Sequence, residues 1–274
     1  MPLLFCWKGS ACVAEFTTLY SGSSGNCGLV RSGGKYLLID MGKSARITIS
    51  ALKELGLAVS DCEGILVTHE HSDHVKGLDT FLKHYSVPVF GGADTLDMLE
   101  SRGTIPPGVE SIAIENRSEE IAGFRVTAFP TSHDVPCVGF RIQSPGGGVM
   151  AYASDLGTIT PAVHRSLSGC DLVALEANYD LQRLRWGPYP HYLKVRIESS
   201  RGHLDNRECA AKLAELVQEG TEKFCLLHLS QENNTPALAL DTVLKTFGAM
   251  NLQPGPETVV QVQERNAVSR IMEF

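Results

Sequence analysis

The apolar positions fall in short runs cut by Gly, Ser and Pro, with a few stretches of helical spacing between them. Runs at 15–20 and 27–31 flank the polar turn Ser21-Gly22-Ser23-Ser24-Gly25-Asn26, and a third at 36–40 follows Gly33-Gly34. Three short runs joined by turn residues predict a meander of antiparallel strands. Over 45–57 the apolar Ile49, Leu52 and Leu55 recur at helical spacing, which predicts a helix. The continuous run Ile65-Leu66-Val67 then reads as a buried strand that delivers a cluster of histidines at its end.

The second half repeats this grammar. Strands are expected at 123–129, 138–143, 149–153, 172–175 and 224–227, and a closing strand at 258–263. Helices are expected at 206–218, opening with an Asn cap, and at 236–247. Two such halves predict an α/β fold: a four-layer αββα sandwich of two mixed sheets, with helices outside. No linker or low-complexity segment divides residues 15–274, which are expected to form one domain behind an extension at 1–14.

Composition adds little beyond ordinary globular character, with 43% hydrophobic and 20% charged residues in 274. A net charge of −7 argues against binding of polyanions by the whole surface and leaves room for a local basic groove. The eight cysteines, at 6, 12, 27, 62, 137, 170, 209 and 225, include no Cys-x-x-Cys pair, so free thiols in a reducing compartment are expected. The apolar N-terminus is interrupted at Lys8, and no run approaches the roughly 20 apolar residues that span a bilayer. A cytoplasmic location without a membrane partner is expected.

The chemistry concentrates in Thr68-His69-Glu70-His71-Ser72-Asp73-His74, directly after the buried strand. A loop leaving a strand can fan its side chains around one point, as two metal ions about 3.5–4 Å apart require. Imidazole and carboxylate donors suit zinc, manganese or iron, and a cluster without cysteine is unlike a structural zinc site.

This motif resembles that of the metallo-β-lactamase-fold hydrolases. The resemblance implies a lone His after a strand, met here by Pro130-Thr131-Ser132-His133-Asp134. It also implies an Asp bridging both metals, met by Tyr152-Ala153-Ser154-Asp155-Leu156-Gly157, and a late His, met by Leu226-Leu227-His228-Leu229-Ser230. By the same resemblance His69, His71 and His133 hold one metal, Asp73, His74 and His228 hold the other, and Asp155 lies between. His84, His164 and His191 have no partner pattern and read as structural or surface residues.

Further segments narrow the likeness. The turn at 19–27, Glu176-Ala177-Asn178-Tyr179-Asp180, Gly202-His203-Leu204-Asp205-Asn206, and His228 through Asn233-Asn234 together resemble the bacterial YycJ/WalJ group, from about Glu15 to the C-terminus. The chain departs from that group's pattern at Tyr179, where His is usual, and at Asp205, where Ser is usual. The resemblance implies a 5′-to-3′ exonuclease on double-stranded DNA. Asn233 and Asn234 of the last segment, with Arg201 of the basic stretch from 181 to 207, are further candidate substrate contacts.

His203 and Glu176 resemble the acid pair of tRNase Z-type phosphodiesterases, in which the carboxylate orients the imidazole and the imidazole protonates the leaving oxygen. A helix-capping His203 and a structural Glu176 are the alternatives. Asp73 is expected both to ligate and to accept a hydrogen bond from the nucleophile. Ser21, Ser23, Ser24 and Asn26 either line a phosphate site, with Gly22 and Gly25 permitting close approach, or make an ordinary hairpin turn.

From 181 to 207 six basic residues (Arg183, Arg185, Lys194, Arg196, Arg201, Arg207) face two acids, with Trp186, Tyr189 and Tyr192 interleaved. That mixture suits phosphates and stacked bases. A solvated helix face with a core Trp would give the same residues. The rival activities are hydrolysis of a small phosphodiester, or of a thioester as in glyoxalase II-like relatives.

Overall fold

The structure is a computed structural model describing residues 13–115, 117–252, 255 and 258–274. The first half runs β1 (Glu15–Tyr20), β2 (Cys27–Ser32), β3 (Lys35–Ile39), α1 (Ala45–Glu54) and β4 (Cys62–Val67). It continues with α2 (Ser72–Val75), α3 (Leu78–Leu82), β5 (Val89–Gly91), α4 (Ala93–Ser101) and β6 (Ser111–Ala113). The second half opens with β7 (Ser118–Ile121), β8 (Phe124–Pro130), β9 (Val138–Gln143), β10 (Val149–Ala153), α5 (Pro161–Leu167) and β11 (Leu172–Glu176). Then follow α6 (Leu181–Trp186), α7 (His191–Glu198), α8 (Asn206–Gln218), β12 (Lys223–Leu227), α9 (Pro236–Ala249), β13 (Val259–Val262) and β14 (Met272–Glu273).

The strands form two sheets, ordered β14-β1-β2-β3-β4-β5-β6 and β13-β12-β11-β10-β9-β8-β7. Each begins as an antiparallel meander and goes on as parallel strands, from β3 to β6 in one sheet and from β10 to β13 in the other. The helices between parallel strands lie outside, as crossovers must. Three separate apolar clusters fill the gaps between layers. One lies between the sheets, one under α1, α3 and α4, and one under α5, α8 and α9. This is the four-layer αββα sandwich that the alternation of patterns predicts.

The unbroken apolar runs have a direct cause. In β3, Leu37 and Ile39 enter the core between the sheets while Tyr36 and Leu38 pack under the first sheet's helices. In β11, Leu172 and Ala174 go inward while Val173 and Leu175 meet the outer helices. A strand covered on both faces has no polar side to alternate with.

Several expectations need correcting. The strand at 258–263 does not finish the fold: β14 returns to pair antiparallel with β1, Phe16 opposite Met272. Two residues carry no period, so no pattern could announce it. The short β5, β6 and β7 and the helices α2 to α5 also go beyond the expected elements, and α6 and α7 fall in the basic segment for which a helix face was one of the two readings. The cap of α8 is Asp205 rather than Asn206, its Oδ1 accepting from Arg207 N and Glu208 N at 2.6 and 2.8 Å. Ala14, assigned to the extension, is buried in the core between the sheets, and its carbonyl accepts from Phe274 N at 2.9 Å. Val13 before it is exposed, and residues 1–12 of the expected extension, with Cys6 and Cys12, lie outside the described residues. The six described cysteines are free and buried. No helix among the described residues is long and apolar enough to cross a membrane.

Candidate metal centre and active site

The strands β4, β8, β10, β11 and β12 end on one side of the sandwich. The loops after β4, β8, β10 and β12 carry His69, His133, Asp155 and His228, and β11 ends in Glu176. Asp155 and His228 hold positive φ, 56° and 55°, in the left-handed region that few residues with a side chain adopt. The loop after β4 is pinned against the loop after β3 at Gly42, where a Cβ would fall 1.7 Å from the carbonyl oxygen of Asp73. Only glycine permits that approach.

His69, His71 and His133 converge, with ligand atoms within 4.8 Å of one another. Asp73, His74 and His228 form a second such group. Asp155 joins them: its Oδ2 lies 3.2 Å from His74 Nε2, and its Oδ1 lies 3.4 Å from His228 Nδ1 and 3.9 Å from His133 Nε2.

The other ring nitrogens decide what these imidazoles present. His133 Nδ1 lies 3.0 Å from the carbonyl oxygen of Gly202, which can only accept, so Nδ1 carries the proton and Nε2 a lone pair. His74 Nδ1 donates likewise to Asp40 Oδ2 at 2.7 Å. Thr68 gives its hydroxyl proton to Asp40, leaving its oxygen to accept from His69 Nδ1 at 3.0 Å. The free atoms His69 Nε2, His133 Nε2 and Asp155 Oδ2 are buried and have no hydrogen-bond partner. Each orphaned group costs about 1–3 kcal/mol unless something binds it. Imidazole lone pairs and a carboxylate that converge while orphaned fit a divalent cation.

The charges agree. Burial, with His74 nearby, holds His69 well below the ordinary histidine range, and burial lowers His133 too. In His74 burial is outweighed by Asp155 and Asp40, which raise it well above that range. Against the same burial, Asp155, Asp73 and Glu176 push His228 up to about 10. Burial would raise Asp155, but His228 and His74 hold it well below the usual carboxylate range. These buried carboxylates demand positive charge at this point.

Beside these donor groups lies a second arrangement. Glu176 is fully buried, and its Oε2 accepts from Leu156 N at 3.0 Å and Leu204 N at 3.3 Å. Its Oε1 accepts from His203 Nδ1 at 2.8 Å and His228 Nδ1 at 2.9 Å. Asp155, Glu176, His203 and His228 also come within 4.8 Å of one another. Since both Glu176 oxygens are already engaged by N–H groups, orientation of the two rings suits it better than ligation. The His203 ring is partly exposed and lines the cavity, and Glu176 raises its basicity against the effect of burial.

The cavity measures about 340 Å³ and is lined by Ser23, Asp73, Asn178, Tyr189, Arg196 and Ser230 among others. The residues expected to contact substrate divide. Ser23 lines the cavity, while Ser24 is exposed outside it. Ser21 is buried, its Oγ accepting from His228 N at 2.9 Å, and buried Asn26 lies 3.2 Å from His74 Nε2 through its Nδ2. Both brace ligands. Gly22 and Gly25 are pressed against Arg265 and the Gly42 carbonyl, so their freedom serves packing.

Arg201 donates to the carbonyl oxygens of His133 and Asp134 at 2.8 and 3.1 Å, bracing that loop. Asn234 is buried and donates to the carbonyl oxygens of Ala177 and Asn178 at 2.8 and 3.1 Å, tying down the end of β11. Asn233 is buried beside Ser230. None of these three lines the cavity. Tyr179 is buried and Asp205 is a helix cap, so neither departure from the group's pattern reaches the cavity. The core tryptophan is also corrected: Trp186 is 86% exposed.

Three contributors were missed. Asp40, with a φ of 64°, orients His74 and Thr68. Asn178 Nδ2 donates to the His228 carbonyl oxygen at 2.8 Å. Asp134 Oδ1 lies 3.2 Å from His133 Nε2 and 3.5 Å from His71 Nε2. The available signal for Asp40 was an acid ending an apolar strand.

A family model described as the beta-lactamase superfamily domain matches residues 35–229. Exodeoxyribonuclease YycJ of Bacillus anthracis is 34% identical over 226 residues, 82% of this chain and 86% of that protein. Exodeoxyribonuclease WalJ of Streptococcus pneumoniae is 30% identical over 244 residues, 88% of this chain and 91% of its own. Among solved structures, the metallo-β-lactamase fold protein YhfI from Bacillus subtilis superposes with a TM-score of 0.69 at 15% identity, covering 96% of this chain and all of its own. That likeness bears on the fold alone. With a family match across most of its length and relatives of this identity, the chain belongs to the YycJ/WalJ-like metal-dependent hydrolases of the metallo-β-lactamase fold.

Proposed function

We propose that this protein is a dinuclear metal-dependent phosphodiesterase that acts on nucleic acid, as a 5′-to-3′ exonuclease on double-stranded DNA. The observation that carries the reading is the pairing of two donor groups, joined by Asp155, with the His203–Glu176 hydrogen bond at the same cavity. The relatives' names as exodeoxyribonucleases support DNA, and the resemblance to their group implies the polarity.

In this reading His69, His71 and His133 hold one ion, Asp73, His74 and His228 the other, and Asp155 serves both. Zinc or manganese suits the donors, and iron is compatible. Bound there, the ions supply Lewis acidity that activates water and neutralises charge gathering on the phosphoryl oxygens. Asp73, half-buried on the cavity wall, accepts a hydrogen bond from the attacking water and orients it. Glu176 fixes the His203 ring with Nδ1 protonated, which leaves Nε2 to carry the proton given to the departing 3′ oxygen. The surroundings of Glu176 hold its carboxyl below the usual range despite burial, chiefly through His203, so it stays an acceptor.

A cavity of about 340 Å³ also admits a small phosphodiester, which is the second reading. Metal-stripped protein resupplied with Mn²⁺ or Zn²⁺ separates the two when given 5′-labelled duplex DNA, duplex RNA and bis(p-nitrophenyl) phosphate, with Asp73→Ala as control. Metal-dependent release from the 5′ end of DNA, absent in the control, is expected. Turnover of the small ester alone would overturn the nuclease reading.

A further inference from the structure

The segment 181–198 forms an arm of two short helices at the mouth of the cavity. Tyr189, Leu193, Arg196 and Ile197 line the cavity wall. Leu184 alone is buried in α6, and α7 has no buried residue. The arm is instead held by polar ties, with Arg185 paired to Glu198, and Arg196 Nε bonded to Asp134 Oδ2 at 2.8 Å beside His133. On this scaffold Trp186 is 86% exposed, Tyr192 76% and Val195 55%. A tryptophan offers roughly 150–250 Å² for burial, and leaving it in water gives up that gain.

We propose that Trp186 is a stacking platform for a nucleobase of the bound strand, with Tyr192 contributing to the same gripping surface. The inference rests on the nucleic-acid reading and adds the surface that grips the polymer. Three observations favour a nucleobase as the occupant. First, exposed Tyr192 continues a surface that already lines the cavity, and Trp186 stands three residues before Tyr189 of the cavity wall. In α7, at 100° per residue, Leu193, Arg196 and Ile197 share one face and Tyr192 sits on its shoulder. Second, the chain from Trp186 to Tyr189 spans at most about 11 Å, roughly three nucleotides of a duplex strand at about 3.4 Å each. Third, two cations of the arm keep charge to spare. The Lys194 ammonium meets the carbonyl oxygens of Arg185 and Gly187, and Arg183 Nη2 meets that of Glu232, so neither charge is neutralised by the groups that hold it. Cations flanking exposed aromatic rings match a phosphate backbone with bases that have π-faces.

The test uses the full chain. The sequence has two tryptophans, so Trp7→Phe leaves Trp186 as the only one. With metal removed to prevent cleavage, a labelled 5′-phosphorylated DNA oligonucleotide is titrated and its binding followed by anisotropy. Bound DNA is expected to quench Trp186 fluorescence. Trp186→Ala is expected to weaken binding by about 5- to 150-fold, the equivalent of one stacked base, with Trp186→Phe recovering part of the loss. With metal restored, the loss of kcat/KM in Trp186→Ala should be greater on DNA than on bis(p-nitrophenyl) phosphate by a similar factor. Binding without quenching, or equal losses on the two substrates, would overturn the platform while the nuclease reading stands. A wild-type protein that hydrolyses only the small ester and binds no oligonucleotide would overturn both. A wild-type dimer that Trp186→Ala dissociates, with DNA binding unchanged, would assign the patch to a second copy of the chain and overturn the proposal.

Discussion

Glu176 Oε1 lies 2.9 Å from Nδ1 of His228, so the carboxylate that orients the proposed acid His203 also orients a candidate metal ligand. The two roles come apart on substitution. His203→Ala is expected to keep its metal and lose turnover by about 10²- to 10⁴-fold. Glu176→Gln is expected to lose turnover and also to bind metal about 10- to 100-fold more weakly, because a partner of His228 is altered. Metal content by mass spectrometry beside steady-state rates checks both. Unchanged rates in His203→Ala would reject its role as the acid.

Asp40 sits wholly buried behind His74 and accepts from Thr68 N at 2.8 Å as well as from the His74 ring. Removing it strands a buried imidazole and a backbone N–H. Asp40→Ala is therefore expected to destabilise the fold by about 3–5 kcal/mol and to reduce metal occupancy. Urea denaturation with metal analysis is the measurement, and a loss below about 1 kcal/mol with full occupancy would refute the bracing role.

Because His69 Nε2, His133 Nε2 and Asp155 Oδ2 make no hydrogen bond, a cation should stabilise the folded chain. At a hundredfold excess over its dissociation constant a ligand adds about 2.7 kcal/mol. The melting temperature is expected to fall on chelation and recover with Zn²⁺ or Mn²⁺, and His69→Ala should blunt the recovery. Identical melts with and without chelator would show that the cluster holds no ion.

Asp205 Oδ1 caps two N–H groups at the start of α8. Asp205→Ala is expected to cost about 1 kcal/mol, whereas Asp205→Ser, which can still cap, should cost much less. Equal losses for the two in urea denaturation would count against a capping role.

What could be read directly was local or repeated. The motif from His69 to His74 places four donors within six residues, so its meaning does not depend on long-range folding. The sandwich was legible because strands covered on both faces read as continuous apolar runs, and the two halves repeat one order of elements. Ambiguity arose where one residue type serves two ends. The polar residues Ser21, Asn26, Asn233 and Asn234 read as substrate contacts, yet a loop packed against buried strand ends needs the same groups to satisfy its own backbone.

The layered architecture and the cluster after β4 could be read from spacing along the chain, whereas the places of His133, Asp155 and His228 followed only from the resemblance to the metallo-β-lactamase-fold hydrolases. Only the packed fold shows that Asp40 stands behind His74, 34 positions away, that one oxygen of Glu176 serves two histidines, and that Trp186 faces water. Those relationships join residues remote in sequence through strand ends that meet only once the two sheets have packed. An apolar pattern drives that packing without recording which polar side chains it brings face to face.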